Sequence, residues 1–476
     1  MKDIRVRDIV NECEGTLLQG SEDWLLVTVT TDSRAIGEDA LFVGISGETM
    51  DGNRFAASAV ENGAKAAMIS DPGIYEDYHE SHPEDRETAF ILVKDTTDAI
   101  QRTARMARRH LQMPAVGVTG SVGKTTTREM IACALSAEKK VYRTSRNYNN
   151  WLGVPLTLCD MSDAYDIAVL ELGLNVRGEL GLISSLSAID TAVITNIGTA
   201  HLEFYGTQDE LCKEKFTITR GFNDDNPRPK LMILNGDDPY LRKYRDLTGY
   251  PYIFYGSSAD CPYRYENIRV EEGKFVFDFC CHGSEKLTVK LSVLGRHNVS
   301  NAAAALAVAD HYGVDLAKAA EALSEYKGFR SRLERHERNG WLLIDDTYNA
   351  SPDSMKAGLQ VLSDIQFKEG GRKIAVLGDM LELGDGSLQY HYEVGAYAAP
   401  LGIDLYLMCG TDIMNAKRAI LELAPETEIR CFTDLDFLIS NLRETLKPGD
   451  VVYVKASHYT GIHRVTEELL KGGGAE

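Results

Sequence analysis

Short apolar runs alternate with longer helical patterns along most of this chain. From residue 115 onward their order is AVGVTG, KTTTREMIACALSAE, AYDIAVLELG and DTAVITNIG. Apolar strands separated by helices are typical of a mostly parallel sheet that is covered on both faces. We therefore predict a central α/β domain.

Similar patterns flank this segment. Before it, DALFVGI, AKAAMIS and AFILVKD indicate strands, and RFAASAVENG indicates a helix that ends on Gly63. Between residues 251 and 294 the alternation is antiparallel in style, as in KFVFDFCCHG and KLTVKLSVLG, and an alanine-rich helix follows in VSNAAAALAVADHYG. The last part again alternates strands with helices, the strands being GWLLIDDTYN, RKIAVLGD, IDLYLMCG, EIRCFTD and DVVYVKAS.

The length of 476 residues is too great for one hydrophobic core. We predict three α/β domains, at residues 1–112, 113–328 and 329–476, with a mostly parallel sheet in the central one and a Rossmann-like third. The helical segment DAIQRTARMARRHLQMP precedes the first boundary and carries Arg102, Arg105 and Arg109 at helical spacing. It could bind phosphate, but the charge pattern favours a solvated helix face.

Composition and charge exclude several classes of protein. The contents of 44% hydrophobic and 26% charged residues are those of an ordinary globular protein. A net charge of −20 opposes binding to nucleic acid or to an anionic membrane surface. The start, MKDIRVRDIV, has no apolar stretch of signal-peptide length, and the chain has no run of about 18 apolar residues. We expect a cytoplasmic monomer without a membrane segment.

The nine cysteines have no C-x-x-C spacing, and only Cys280 and Cys281 are adjacent. We interpret them as reduced, mostly buried thiols. The spacing also argues against a metal site built on cysteine.

Residues 115–130, AVGVTGSVGKTTTREM, comprise an apolar strand, a glycine-bearing turn and the start of a helix. Gly120 and Gly123 let backbone N–H groups face a phosphate, and the helix N-terminus attracts an anion. Lys124 would reach the outer phosphates and the Thr125 hydroxyl would reach Mg²⁺. Val118 replaces the first glycine of the strict eight-residue pattern, so a plain turn is the alternative. The flanking strand and helix favour a phosphate loop.

The segments TGSVGKTTT and NYNNWLGVP resemble the Mur ligases, the cytoplasmic ATP-dependent ligases of bacterial cell-wall synthesis. The resemblance continues in the family's order over nearly the whole chain, through ELGLNVRGEL, TNIGTAHLEFYGT, GRHNVSNAAAALAVA, DDTYNASPDSMKA and VLGDMLELG. The last two segments are most similar to members that add D-alanyl-D-alanine to UDP-N-acetylmuramoyl-tripeptide. The resemblance implies amide-bond formation through an acyl phosphate, with these two molecules and ATP as substrates.

The resemblance also implies roles for individual residues. The ATP site would comprise Gly120, Ser121, Gly123, Lys124, Thr125, Thr126, His297, Asn298, Arg332, Asp346 and Asn349. Two Mg²⁺ ions would be held by Thr125, Glu171, His201 and a carbamylated Lys215. Lys124, His201, Lys215 and Arg332 would be the catalytic residues. The substrate would be bound by Ser33, Arg34, Asp51, Asn149 and Asn150, the first three holding the UDP sugar.

Several alternatives remain at this point. An ordinary surface lysine is the alternative for Lys215, and a shift in helix register would exchange it with Lys213. Near the C-terminus the family usually has K-G-S-R, whereas this chain has Lys455-Ala456-Ser457-His458. A related ligase with another acceptor or carboxylate donor is therefore one rival, and a non-catalytic nucleotide-binding regulator is another. A generic phosphate-loop motor explains fewer residues.

Overall fold

A computed structural model describes residues 1, 3–47, 50–145, 147–199, 202–283, 285–368 and 370–471. Three separate sheets follow one another along the chain, and each has helices packed on it. We call these parts the first, central and third units. The prediction of three α/β parts is confirmed, whereas the boundaries at 112/113 and 328/329 stay a prediction.

The first unit has a five-stranded sheet of order β1-β5-β4-β3-β2, in which only β1 is antiparallel to its neighbour. Its core lies on both faces of the sheet, because Phe42 and Phe90 point to one side and Leu41 and Ile91 to the other. The strands are β1 Thr16–Gln19, β2 Thr28–Thr30, β3 Ala40–Val43, β4 Ala66–Ile69 and β5 Ala89–Leu92, and the helices are α1 Val6–Glu12, α2 Ala56–Glu61, α3 Pro72–Ser81 and α4 Thr96–Arg109.

The central unit has a nine-stranded sheet of order β14-β13-β12-β11-β10-β9-β6-β8-β7. The strands from β7 to β12 in this order are parallel, and the predicted antiparallel strands β13 and β14 extend the same sheet. The strands are β6 Ala115–Thr119, β7 Val141–Arg143, β8 Ile167–Glu171, β9 Thr191–Ile194, β10 Leu231–Asn235, β11 Tyr252–Gly256, β12 Tyr263–Glu271, β13 Lys274–Cys281 and β14 Leu287–Leu291. The helices are α5 Lys124–Leu135, α6 Gly153–Asp160, α7 Glu179–Ser187, α8 Leu202–Tyr205, α9 Gln208–Phe216, α10 Pro239–Tyr244, α11 His297–His311 and α12 Leu316–Glu325.

The third unit has a six-stranded sheet of order β15-β16-β20-β17-β18-β19, parallel except for β15. Its four inner strands are buried on both faces, which explains their nearly continuous apolar sequences. The strands are β15 Glu334–Arg338, β16 Trp341–Asp345, β17 Lys373–Gly378, β18 Leu405–Cys409, β19 Glu428–Phe432 and β20 Val451–Lys455, and the helices are α13 Pro352–Asp364, α14 Ser387–Ala398, α15 Met414–Leu423, α16 Leu435–Thr445 and α17 His463–Lys471.

Helix α4 links the first unit to the central one. Arg105 and Arg109 both pair with Asp225 of the central unit, at 2.8 and 3.1 Å, and Arg102 pairs with Glu14 at 2.9 Å. The three arginines are thus partly exposed, as predicted, but they are ion-paired rather than simply solvated. Buried Arg108, which the sequence did not single out, donates to four backbone carbonyls and fixes the helix on α7.

All nine cysteines are reduced thiols, and five of them are buried, which confirms the prediction. None of the described helices has the length and apolar composition needed to cross a bilayer.

Candidate active site

The turn between β6 and α5 has the backbone of a phosphate loop. Gly120 and Gly123 have φ values of +153° and +84°, which side chains disfavour. A Cβ atom at Gly120 would lie 1.9 Å from Thr195 Oγ1. The two glycines are therefore required by the turn itself.

A second segment, which follows β9, braces this loop. Asn196 Oδ1 accepts from Val122 N at 2.9 Å, and Asn196 Nδ2 donates to Val122 O at 2.9 Å. Ser121 N donates to Asn196 O at 3.0 Å. Sequence reasoning missed Asn196, although the adjacency of parallel strands β6 and β9 brings the ends of both strands to the same sheet edge.

The first turn of α5 places the predicted phosphate and metal ligands. Lys124 Nζ donates to Gly120 O at 2.9 Å and to Ser121 O at 3.2 Å, so the ammonium group lies over the loop. Burial lowers the pKa of Lys124, and the negative charge of Glu171 partly offsets this. Thr125 follows it and is only 4% exposed, whereas Thr126 is half-buried and lines the adjoining cavity.

Glu171 ends β8 beside this loop and is 2% exposed. Its Oε1 accepts from Asn149 Nδ2 at 2.8 Å and its Oε2 from Arg128 at 3.2 Å. Arg128 is completely buried and also pairs with Glu129 at 2.5 Å. The carboxylate of Glu171 is therefore held from two sides, by one predicted substrate residue and by an arginine that the sequence did not single out.

The two lysines of α9 differ in their surroundings. Lys213 is exposed and pairs with Glu210 at 2.7 Å, whereas Lys215 is 1% exposed. Burial, and then the positive charge of Lys124, hold the pKa of Lys215 well below its usual value of 10.5. The helix register thus makes Lys215 the buried lysine, and the alternative of a surface lysine is wrong. His201 lies outside the described residues.

Helix α11 brings a chain of amides to the phosphate loop. Exposed His297 begins the helix, and Asn298 is buried after it. Asn301 Nδ2 donates to Asn298 Oδ1 at 2.8 Å, and Asn301 Oδ1 accepts from Thr127 Oγ1 at 3.1 Å. This chain ties α11 to α5.

Residues of the third unit face the loop from the other side. Asp346 accepts from Lys455 Nζ at 2.7 Å and from Tyr453 at 3.0 Å. Lys455 Nζ also donates to Asn349 O at 2.8 Å. Asp346 and Asn349 are therefore held by Lys455, the first of residues 455–458, which we call the KASH segment. Burial lowers the pKa of Lys455, and the negative charge of Asp346 partly offsets this.

Arg332 stacks on the ring of Tyr348, with the guanidinium carbon 4.1 Å from the ring centroid. Such stacking fixes the plane of the guanidinium and leaves its edge for other groups.

The third unit also contacts the central unit directly. Asp353, in the first turn of α13, accepts from Thr199 N at 3.1 Å and from Thr199 Oγ1 at 3.3 Å. A Cβ atom at Gly198 would lie 2.4 Å from Asp353 Oδ2 and 3.2 Å from Ser121 Cβ. Helix α13, the segment after β9 and the phosphate loop thus meet at one point.

A cavity of about 930 Å³ lies between the central and third units. It is of the size that takes a nucleotide-sized ligand. Among the described residues, buried polar atoms of Ser121, Tyr326 and Arg332 in its wall have no hydrogen-bond partner. Since buried polar atoms are normally paired, these three favour a polar ligand there. Most predicted site residues line it: Ser121, Gly123, Lys124, Thr125, Thr126, Asn149, Asn150, Glu171, His297, Asn298, Arg332, Asp346 and Asn349.

The predicted uridine-binding residues of the first unit are not part of this wall. Arg34 is exposed and forms a double ion pair with Asp32, at 2.8 and 2.9 Å, which lowers the pKa of Asp32 to about 2. Asp51 caps the short 3₁₀ helix Gly52–Phe55 through Asn53 N. Ser33 is buried. Both Arg34 and Asp51 therefore bind residues close to them in the chain, Asp32 and Asn53.

Asn150 likewise has a local partner, because its Oδ1 accepts from the N–H of Gly153, the first residue of α6, at 2.8 Å. In the KASH segment, Ser457 is buried and accepts from Leu381 N at 2.9 Å. Exposed His458 lines the cavity and stacks on His463 with 5.3 Å between ring centroids. The imidazole of His458 therefore occupies the position of the arginine in the K-G-S-R pattern.

The fold and the cavity together indicate a class: an α/β enzyme with a phosphate-loop turn and a polar cavity lined by residues of two units. Family models agree in detail. They match the Mur ligase family catalytic domain at residues 26–108, the Mur ligase middle domain at 118–309 and the Mur ligase glutamate ligase domain at 331–458.

The chain is also similar over nearly its whole length to individual members of this family. UDP-N-acetylmuramoyl-tripeptide–D-alanyl-D-alanine ligase of Bacillus subtilis (strain 168) is 34% identical, over 98% of both chains. The crystal structure of MurF from Acinetobacter baumannii is similar with a TM-score of 0.83 and 30% identity, covering 98% of both chains. MurF of Thermotoga maritima, in complex with ADP, has a TM-score of 0.77 and 29% identity, over 93% of this chain and 97% of that one. The chain belongs to the Mur ligase family.

Proposed function

We propose that this protein uses ATP to join the terminal carboxylate of UDP-N-acetylmuramoyl-tripeptide to the amine of D-alanyl-D-alanine. The full-length relatives supply the substrates, and ATP is supported by the relative bound to ADP. The observation that carries the proposal is the phosphate loop at Lys124 and Thr125 beside Glu171, in a cavity closed by the third unit.

The reaction has two steps. A carboxylate oxygen of the tripeptide attacks the γ-phosphorus of ATP, giving an acyl phosphate and ADP. The amine of the dipeptide then attacks the carbonyl carbon, the amide bond forms, and phosphate leaves with the oxygen that bridged carbon and phosphorus. The ammonium of Lys124 and the loop N–H groups stabilise the charge that gathers on the transferred phosphoryl group. Asp353 joins the third unit to Thr199 of the central unit beside the loop, and this closure would exclude water from the acyl phosphate.

The donor set beside the loop fits Mg²⁺. This ion prefers oxygen ligands, and the Thr125 hydroxyl and the Glu171 carboxylate supply them. Bound there, the ion would offset negative charge on the phosphates. His201 and a second ion belong to the same proposal. Arg128 and Asn149 hold the two oxygens of Glu171 and fix where that carboxylate points.

We assign Lys215 as the site of carbamylation. A neutral amine is the form that attacks CO₂, giving a carbamate and releasing one proton. Burial depresses the pKa of Lys215 and so favours the neutral amine, and the product would turn a buried amine near Lys124 into an anion. Replacing Lys215 by alanine should abolish activity, and short carboxylic acids such as acetate should restore part of it. Lys213→Ala is the matched control and should retain activity.

The three units would divide the work. The first, at residues 1–112, would bind the UDP sugar through Ser33, Arg34 and Asp51. The central one, at 113–328, would bind ATP, and the third, at 329–476, would bind the acceptor and close on the nucleotide. The separation of the three sheets along the chain supports this division. The monomeric state and the cytoplasmic location stay predictions.

Phosphate release by the purified protein tests the substrates. We expect release from ATP only when UDP-N-acetylmuramoyl-tripeptide and D-alanyl-D-alanine are both present. Release that is faster with another dipeptide or with a single amino acid would contradict the acceptor. Lys124→Met, which removes the charge but keeps much of the volume, should abolish release in every mixture.

A further inference from the structure

A second cluster of reactive side chains lies far from the phosphate loop, at the other end of α11. Cys281 is the last residue of β13, His282 begins the turn after it, and Asp310 is in the last turn of α11. One ligand atom of each residue lies within 4.8 Å of the other two. We propose that these three residues bind a divalent transition-metal ion of the zinc type.

The donor set selects this class of ion. One sulfur, one imidazole nitrogen and one carboxylate oxygen suit Zn²⁺, which is commonly held by three protein ligands with water as the fourth. Mg²⁺ prefers oxygen ligands and would bind poorly there. The site is thus chemically distinct from the one proposed beside Glu171.

The strand pattern explains which cysteine takes part. Successive side chains of β13 point to opposite faces of the sheet. Cys281 shares its face with Phe277 and Phe279, which pack under α11, whereas Cys280 points to the other face. The thiol of Cys281 therefore faces α11 and Asp310.

The ion would replace a proton. Cys281 Sγ lies 3.5 Å from Asp310 Oδ2 and donates to it, and burial raises the pKa of this thiol to about 12, with Asp310 adding to the effect. On binding, the sulfur–hydrogen bond breaks, the proton goes to solvent, and the thiolate electron pair binds the ion. Binding must therefore strengthen as the pH rises.

Neighbouring groups would orient the ligands. Tyr263, the strand partner of Cys281, donates its hydroxyl hydrogen to Asp310 Oδ2 at 2.8 Å. Its ring meets the ring of His282 edge-on, with 5.0 Å between centroids. His282 has a φ of +48°, a conformation that non-glycine residues seldom adopt. Hydrogen bonds from a second residue to a ligating carboxylate are a regular feature of metal sites.

Cysteine spacing argued against such a site because Cys281 has no partner cysteine. The third ligand comes from a helix 28 residues later, counted from His282 to Asp310, and only the packing of α11 on β13 brings it close. Along α11 the site is about 18 Å from Asn298, at about 1.5 Å per residue. Occupancy is thus open to measurement without disturbing the nucleotide site.

Cobalt titration of the full-length protein tests the proposal, because a thiolate bound to Co²⁺ gives a charge-transfer absorption in the near ultraviolet. We expect one equivalent of Co²⁺ to produce this band and Zn²⁺ to abolish it. Cys281→Ser should remove the band, Asp310→Asn should weaken binding, and Tyr263→Phe should weaken it about tenfold or more. Cys431→Ser, at an exposed cysteine elsewhere, is the matched control and should leave the band unchanged.

Ligase activity of each variant reports its folding. The proposal is overturned if the wild-type protein shows no charge-transfer band, or if the band persists unchanged in Cys281→Ser. It is also overturned if Cys431→Ser removes the band, because the exposed thiol would then be the ligand.

Discussion

Replacing Arg128 by methionine tests how the central site is held together. Arg128 has no exposed surface and pairs with Glu171 at 3.2 Å and Glu129 at 2.5 Å, and its guanidinium lies 5.6 Å from the ring centroid of Phe329. Methionine keeps much of the volume but removes the cation that is hydrogen-bonded to Glu171 in a buried setting. Removing one partner of a buried ion pair costs about 3–5 kcal/mol. We expect the free energy of unfolding of the central unit to fall by about that amount.

Arg143→Met is the matched control. Arg143 pairs with the same Glu129, at 3.1 Å, but its side chain is 54% exposed. Exposed pairs contribute about 0–1 kcal/mol, so this variant should be close to wild type. The comparison separates the effect of burial from the simple loss of an arginine.

Urea unfolding followed by tryptophan fluorescence gives the assay. Each unit has a single tryptophan, namely Trp24, Trp151 and Trp341, so Trp24→Phe and Trp341→Phe in one background leave Trp151 as the reporter of the central unit. If Arg128→Met and Arg143→Met lose the same free energy, the buried network does not stabilise the site.

Three other variants test separate features. Gly120→Ala places a methyl carbon against Thr195 Oγ1 at a φ of +153°. Holding the loop in this conformation would then cost about 1–3 kcal/mol, so calorimetry should show that the affinity for ATP is reduced about tenfold or more. Asp353→Ala removes both hydrogen bonds to Thr199, and steady-state kinetics should show kcat reduced about tenfold, corresponding to about 1.5 kcal/mol, with Asp353→Asn retaining more. In buffer depleted of CO₂, Lys215 is an amine rather than a carbamate. Between the depressed pKa of Lys215 in the folded protein and 10.5, the unfolded chain then binds a proton at this residue and the folded chain does not. Stability should therefore rise with pH over that range, and Lys215→Met should lose this contribution in urea titrations at several pH values. An unchanged ATP affinity, an unchanged kcat or an unchanged pH slope would contradict the respective expectation.

Some features were predictable from the sequence because they depend on residues that are close together in the chain. The phosphate loop is a strand, two glycines and a helix start within a few residues, and the structure has that conformation at Gly120 and Gly123. The buried strands were recognisable from their continuous apolar runs. The same locality explains why Lys215 rather than Lys213 is buried, since the register of a single helix decides it.

Long-range partners were not predictable. Asn196 binds a loop residue 74 positions earlier, and Asp353 binds Thr199 across 154 positions. Nothing in the sequence near either residue indicates its partner, because only the order of strands and the placement of the third unit bring them together. Polar residues such as Asp51 and Asn150 are ambiguous for another reason: a side chain that suits a ligand also suits a hydrogen bond to a nearby backbone N–H.

Transfer of ¹⁸O from the substrate carboxylate to phosphate tests the proposed chemistry most directly. The terminal carboxylate of UDP-N-acetylmuramoyl-tripeptide is labelled with ¹⁸O and turned over with ATP and D-alanyl-D-alanine in ordinary water. If the carboxylate is phosphorylated at the loop around Lys124, one labelled oxygen leaves with each phosphate and the mass spectrum of the phosphate shows it. Unlabelled phosphate formed together with the amide product would contradict the acyl phosphate and the account of the site built on it.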